Sequence, residues 1–153
     1  VLALMKKHGT YYIPTISAGM FVAEKAKQKG YYPQIIVPKA LEIGPRLLNT
    51  FTTAYKFGIK IAFGTDSGVS YHGDNAKEFF YMVKGGMSEM EAIRSATVIA
   101  SEMLDINDKL GSIESGKLAD IIAVKGNPIK DITFLQEVVF VMKEGKIYKS
   151  NID

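Results

Sequence analysis

Two residue types able to do hydrolytic or metal chemistry share one short stretch, IAFGTDSGVSYHGDN, residues 61–75. The apolar run Ile61–Phe63 stops at Gly64-Thr65-Asp66. A carboxylate directly after a buried strand can bind a cation or take a proton from water. In parallel α/β folds functional groups gather at that strand end, because the loops there converge over the sheet. Gly64 and Gly68 allow the backbone close approach to a ligand or a positive φ. The same residues also fit a tight turn that Asp66 merely caps, and the spacing leaves both readings open. His72 lies in the same loop. Its imidazole could hold a metal, meet a substrate carboxylate or simply be solvated. The other histidine, His8, follows Lys6-Lys7 at a helix end, where it can bond orphan carbonyls.

The composition removes several classes of function. Nineteen basic against 16 acidic residues give a scattered charge of +3, with no basic block for nucleic acid or an anionic membrane. No apolar run approaches the roughly 18 residues of a membrane span. With no cysteine, disulfides, thiolate zinc sites and cysteine nucleophiles are excluded. Two histidines and one well-placed aspartate do not complete a catalytic zinc site, which usually takes three protein ligands and a water. HExxH, P-loop and GxSxG motifs are absent. The pairs Tyr11-Tyr12 and Tyr31-Tyr32 read as packing rather than substrate platforms. Lys25, Lys27 and Lys29 read as a solvated helix face.

The helices and strands around Asp66 can be read from the flanking pattern. The chain opens as the last turns of an amphipathic helix that Gly9 stops. Opening in mid-helix, it is expected to have lost something upstream. A strand over 10–16, irregular at Pro14, is followed by a helix over 18–29 that ends at Gly30. A second helix, 39–57, should break or kink at Gly44-Pro45. The strand 59–63 then leads into the Asp66 loop. Asp74 is placed to N-cap a helix over 75–86, and Ser88-Glu89-Met90-Glu91 is a capping box opening a helix to about Leu104. Strand and helix alternate through residue 104, the grammar of βα units and a parallel sheet. The tail differs. LADIIAV and EVVFVMKEGKIYK are strands of a small antiparallel element, with Glu144-Gly145 as a two-residue hairpin turn and Gly126-Asn127-Pro128 as another turn.

The order of four segments carries a resemblance. GIKIAFGTDSG, SATVIASEMLDI, GSIESGKLADIIAVKGNPIKDI and VVFVMKEGKIYK together resemble the C-terminal part of metal-dependent amidohydrolases. The closest look is to the branch of imidazolonepropionase-like enzymes and Xaa-Pro dipeptidases. G-x-I-x-x-G-K-x-A-D at 111–120 is the more specific motif, and nearly the whole chain is covered. The resemblance implies an α/β fold: the C-terminal part of a (β/α)8 TIM barrel plus part of a small β-sandwich. Residues 1–110 would be the last βα units of the barrel and 111–153 the C-terminal strands of the sandwich. YYIPT and IKIAFGTD would be the seventh and eighth barrel strands.

By the same resemblance Asp66 is a metal ligand and the catalytic proton acceptor, and the cofactor is a divalent metal, zinc. His72 is a substrate contact. The HxH pair, the bridging residue and two later histidines of the family pattern are absent from this chain, and neither His8 nor His72 matches them. Tyr71 stands where related dipeptidases often have Pro before the loop histidine. The expected function is therefore that of a C-terminal fragment. The intact enzyme would hydrolyse a C–N bond in a small peptide, in the manner of an Xaa-Pro dipeptidase or carboxypeptidase, and this chain alone would be inactive. Two alternatives stay open: a non-catalytic binding or structural module, and a cyclic amide hydrolase. An open barrel edge implies as partner the remainder of the chain's own barrel or a symmetry-related chain, hence an oligomer.

Overall fold

The computed structural model describes residues 1–151, so the final two residues of the expected sandwich segment lie outside the described residues. Helix α1 (Leu2–His8) ends where Gly9 takes φ 64°, and its N–H returns to the Lys6 carbonyl at 3.3 Å. β1 (Tyr11–Tyr12) follows, and pairs in parallel with β2 (Lys60–Ile61), Tyr12 opposite Ile61. Both strands are shorter than the runs 10–16 and 59–63. Pro14 has no N–H to give to a ladder. Past the end of β2, the Ala62 N–H still reaches the Tyr12 carbonyl at 3.1 Å, but the Phe63 N–H turns to the Ser95 carbonyl at 3.0 Å.

Between the two strands lie α2 (Ile16–Ala26) and α3 (Val37–Phe57), which pack against each other. The expected break at Gly44-Pro45 does not occur; α3 runs through both residues. Gly44 sits at a close helix crossing instead. A Cβ there would lie 3.0 Å from the Gly19 carbonyl oxygen and 3.0 Å from the Cα of Met20. Contact between the helices holds the segment helical although Gly44 lowers propensity and Pro45 removes one ladder bond. The start of α2 also moves: Thr15, at φ 45°, is its N-cap and offers no side-chain bond.

Asp74 does not cap the next helix. α4 (Lys77–Lys84) begins after Ala76, and the Asp74 carboxylate pairs with the Lys77 ammonium at 2.9 Å. The Ser88 capping box is present, with Ser88 Oγ accepting from the Glu91 N–H and Glu91 Oε2 accepting from the Ser88 N–H at 3.1 Å. Bonds from Ser88 and the Tyr55 hydroxyl hold the Glu91 carboxyl below its ordinary pKa. The helix it opens is two helices, α5 (Glu89–Ala96) and α6 (Val98–Met103), broken at Thr97 (φ −121°, ψ −91°). The Ser95 carbonyl that should continue the ladder is spent on Phe63. The Ser95 and Thr97 hydroxyls bond the Ala92 and Ile93 carbonyls, a pattern that bends helices.

The tail forms an antiparallel sheet in the order β3 (Ile121–Val124), β4 (Val138–Lys143), β5 (Lys146–Ser150), with a 3-10 turn at Ile132–Gln136 before β4. Glu144 (φ 50°) and Gly145 (φ 79°) both take the left-handed values that a two-residue hairpin demands. The architecture is thus mixed α/β. The core lies where α3, α4 and α5 close over β2, with Ile16, Phe51, Ile61, Met82, Met87 and Ala92 in one buried cluster. No helix among the described residues is long and apolar enough to cross a membrane.

Candidate functional site

β1 and β2 run in parallel, so Thr15 and Asp66 emerge from the same edge of the sheet. Both are in the left-handed region, Thr15 at φ 45° and Asp66 at φ 51°. Asparagine and aspartate tolerate this better than most residues, but a β-branched threonine there is unusual. Asp66 begins a turn in which its carbonyl accepts the Val69 N–H at 3.2 Å. Its carboxylate is exposed and, among the described residues, takes no hydrogen bond or ion pair. It therefore does not cap its own turn, which was the plain alternative. The neighbouring Ser67 hydroxyl is buried without a hydrogen-bond partner among the described residues.

His72 is also exposed, further along the same loop. No hydrogen bond joins it to Asp66 among the described residues. Its neighbours are anchored on both sides. The Tyr71 ring meets Phe21 edge-on with centroids 5.3 Å apart. The Lys25 ammonium sits 5.3 Å from the Phe21 centroid and 5.5 Å from those of Tyr31 and Tyr71. Lys25 is therefore not part of a freely solvated face: it gathers three rings from α2, the following connector and the Asp66 loop by cation–π attraction. On the other side, the Gly73 N–H donates to Asn75 Oδ1 at 3.2 Å, and Asn75 Nδ2 donates to Thr65 Oγ1 at 3.4 Å. His8 remains exposed at the end of α1.

Pattern reading passed over Glu78. It is 0 % exposed, and its two carboxylate oxygens accept the N–H groups of Ile16 (2.9 Å) and Ser17 (2.7 Å). Burial raises its pKa, against the pull of the bonds from Ser17 and Ile16. One signal was available: Glu78 and the fully buried Met82 are one helical turn apart, on the same face of α4.

Among the described residues no group of three His, Asp or Glu side chains could hold a metal ion. Asp66 supplies one carboxylate, and a metal centre needs donors from elsewhere. Two clefts of about 360 and 570 Å³ flank the fold, and neither is lined by Asp66 or His72. The first lies between α2, α3 and the outer side of the loop at Ser70 and Asp74; the second is an apolar cleft between α5, α6 and β3.

Residues 1–148 match the model of a family described as the amidohydrolase family. The crystal structure of a Xaa-Pro dipeptidase with bound methionine in the active site is 58 % identical and superposes with a TM-score of 0.93, over 97 % of this chain and 37 % of that one. A prolidase complexed with N-methylphosphonate-L-proline is 27 % identical, with a TM-score of 0.84, over 98 % of this chain and 37 % of its own. Ochratoxinase from Aspergillus niger is 34 % identical over 155 residues, which are 97 % of this chain and 31 % of that protein. The chain thus spans about a third of the length of the proteins it matches.

Proposed function

Since the chain belongs to the amidohydrolase family, we propose that it is the C-terminal segment of an enzyme that hydrolyses C–N bonds in dipeptides. Proline in the second position is the preferred substrate feature. The observation that carries the reading is the Asp66 carboxylate: free, exposed and at a positive φ in the loop that follows a parallel strand. The 58 % identity to a Xaa-Pro dipeptidase supports the choice of substrate. In this reading β1 and β2 are the last two strands of a (β/α)8 barrel, and β3–β5 belong to a small sandwich beside it.

Asp66 is then the acting carboxylate of this segment. Ionised, it takes the proton of the attacking water as the C–N bond is broken, and returns it to the leaving amine. Amidohydrolases are generally metal-dependent. A divalent metal, zinc in this reading, would when bound supply a lowered pKa for the attacking water and polarisation of the carbonyl. Asp66 would be one of its ligands, and the remaining donors would come from outside this segment. His72 faces the substrate from the same loop.

The complete protein, loaded with zinc, is expected to hydrolyse dipeptides ending in proline faster than other dipeptides, and to lose that activity to a chelator. A metal-loaded protein that turns over no dipeptide in such a panel overturns the proposal.

The chain's partner is proposed to be the rest of its own barrel or, failing that, a second copy. β1 and β2 pair only with each other among the described residues, so both outer edges of this sheet lack a strand. Exposed edges template further pairing. The isolated 153-residue chain is expected to scatter light as an oligomer or aggregate at micromolar concentration and to hydrolyse nothing. A monodisperse 16.8 kDa species with a cooperative melt favours an independent module instead.

A further inference from the structure

Glu78 has the features of a tie between elements rather than of an ordinary cap. The N–H groups it accepts, those of Ile16 and Ser17, are the first two of α2, and Glu78 stands 62 and 61 positions away from them in the chain. Thr15 gives α2 no side-chain cap. Its left-handed backbone lies outside the extended region from which a cap side chain reaches the first N–H groups, so the donors are answered from elsewhere. What a distant carboxylate adds is mechanical: α2 follows β1, α4 follows β2, and Glu78 joins their first turns. Burial and, second to it, the Glu78 charge raise the pKa of the Tyr12 phenol on β1.

From Glu78 the path to Asp66 is short. The Glu78 N–H donates to the Asn75 carbonyl at 3.2 Å. The Asn75 side chain in turn bonds Thr65, which precedes Asp66, and Gly73, which follows His72. We propose that Glu78 is a positioning residue: its buried carboxylate fixes the Asp66 loop against the end of β1 through α4 and Asn75. The inference rests on the reading of Asp66 as the acting carboxylate.

The test uses the complete protein. Glu78→Gln keeps the shape but replaces one acceptor oxygen with an NH2 that confronts a backbone N–H. The expected result is a kcat roughly 10- to 100-fold lower at a temperature where the variant is fully folded, as for a small misplacement of a catalytic group. KM should change less, and amide exchange over residues 65–73 should speed up. Thr65→Val breaks the other end of the path without touching the buried carboxylate. It should lower kcat at unchanged Tm, and the double variant should be no worse than Glu78→Gln alone, because both break one path. If Glu78→Gln lowers Tm but leaves the kcat of the folded enzyme and the exchange of 65–73 unchanged, Glu78 is purely structural and the proposal fails. If it does not fold, an unchanged kcat in Thr65→Val overturns the proposal. Failure of the Asp66 reading is seen separately, as full kcat in Asp66→Asn; the exchange of 65–73 in Glu78→Gln then still decides whether Glu78 holds the loop.

Discussion

Asp66→Asn in the complete protein is expected to lower kcat by at least about a hundredfold, the lower range for loss of a general base, while KM changes little. The substitution keeps the size and shape of the side chain and its tolerance of the left-handed backbone at φ 51°. It removes the negative charge and the proton acceptor. No structural bond is lost with them, because among the described residues the carboxylate has no hydrogen-bond or ion-pair partner. Stability of the metal-free protein should therefore be close to that of the wild type, and, because Asp66 is also proposed as a metal ligand, the loss in kcat is compared at equal zinc content. Steady-state kinetics on a proline-ending dipeptide, with the zinc content of both proteins measured, provides the check. A variant that keeps most of its kcat shows that Asp66 is a turn residue and no more.

Phe51→Ala should be the most damaging single truncation of the core in this segment. The ring is 0 % exposed on α3 and touches the layers that place the site: Ile61 of β2, Met82 of α4 and Ile16 at the start of α2 share its cluster. It stacks on Tyr55 with centroids 6.2 Å apart and planes 8° from parallel. Gly85 is bare because a Cβ there would strike this ring. Emptying such a site costs about 3–5 kcal/mol, transfer and cavity terms together. Amide exchange from α4 and β2 should accelerate by roughly a hundredfold to several thousandfold, up to the limit set by global unfolding. Phe51→Leu should recover most of the loss by refilling the volume. A change below about 1 kcal/mol in Phe51→Ala would mean that α4 is not seated on this ring.

The two substitutions separate what holds the loop from what is proposed to act in it, and they bear on how legible each was. Asp66 was found from local grammar, because an apolar run, a glycine and a lone carboxylate are consecutive in the chain. The capping box at Ser88, the Gly9 stop and the Glu144-Gly145 turn were found for the same reason: each is settled by a few adjacent residues and their backbone preferences. Gly44-Pro45 was misread because propensity argues for a break, while contact with Gly19 and Met20 holds the helix together. The break at Thr97 was missed because it depends on the Ser95 carbonyl being taken by Phe63, from a strand far back in the chain. Lys25 looked solvated because the Tyr71 ring that completes its cluster comes from the distant Asp66 loop.

The alternation of strand and helix before Asp66, the antiparallel tail, the family resemblance and the candidate carboxylate were all legible without coordinates. These rest on side-chain periodicity and on short motifs, which act over a turn of helix or a few strand residues. Packing in three dimensions set how short the two parallel strands are, left the Asp66 carboxylate without a partner among the described residues, and made a buried glutamate tie α2 to α4. The first and the last of those outcomes are competitions for a backbone donor or acceptor between groups distant in the chain: Phe63 with Ser95, Glu78 with Ile16 and Ser17. Buried backbone groups must find a partner somewhere, and which partner wins is settled by packing in three dimensions rather than by neighbours in sequence.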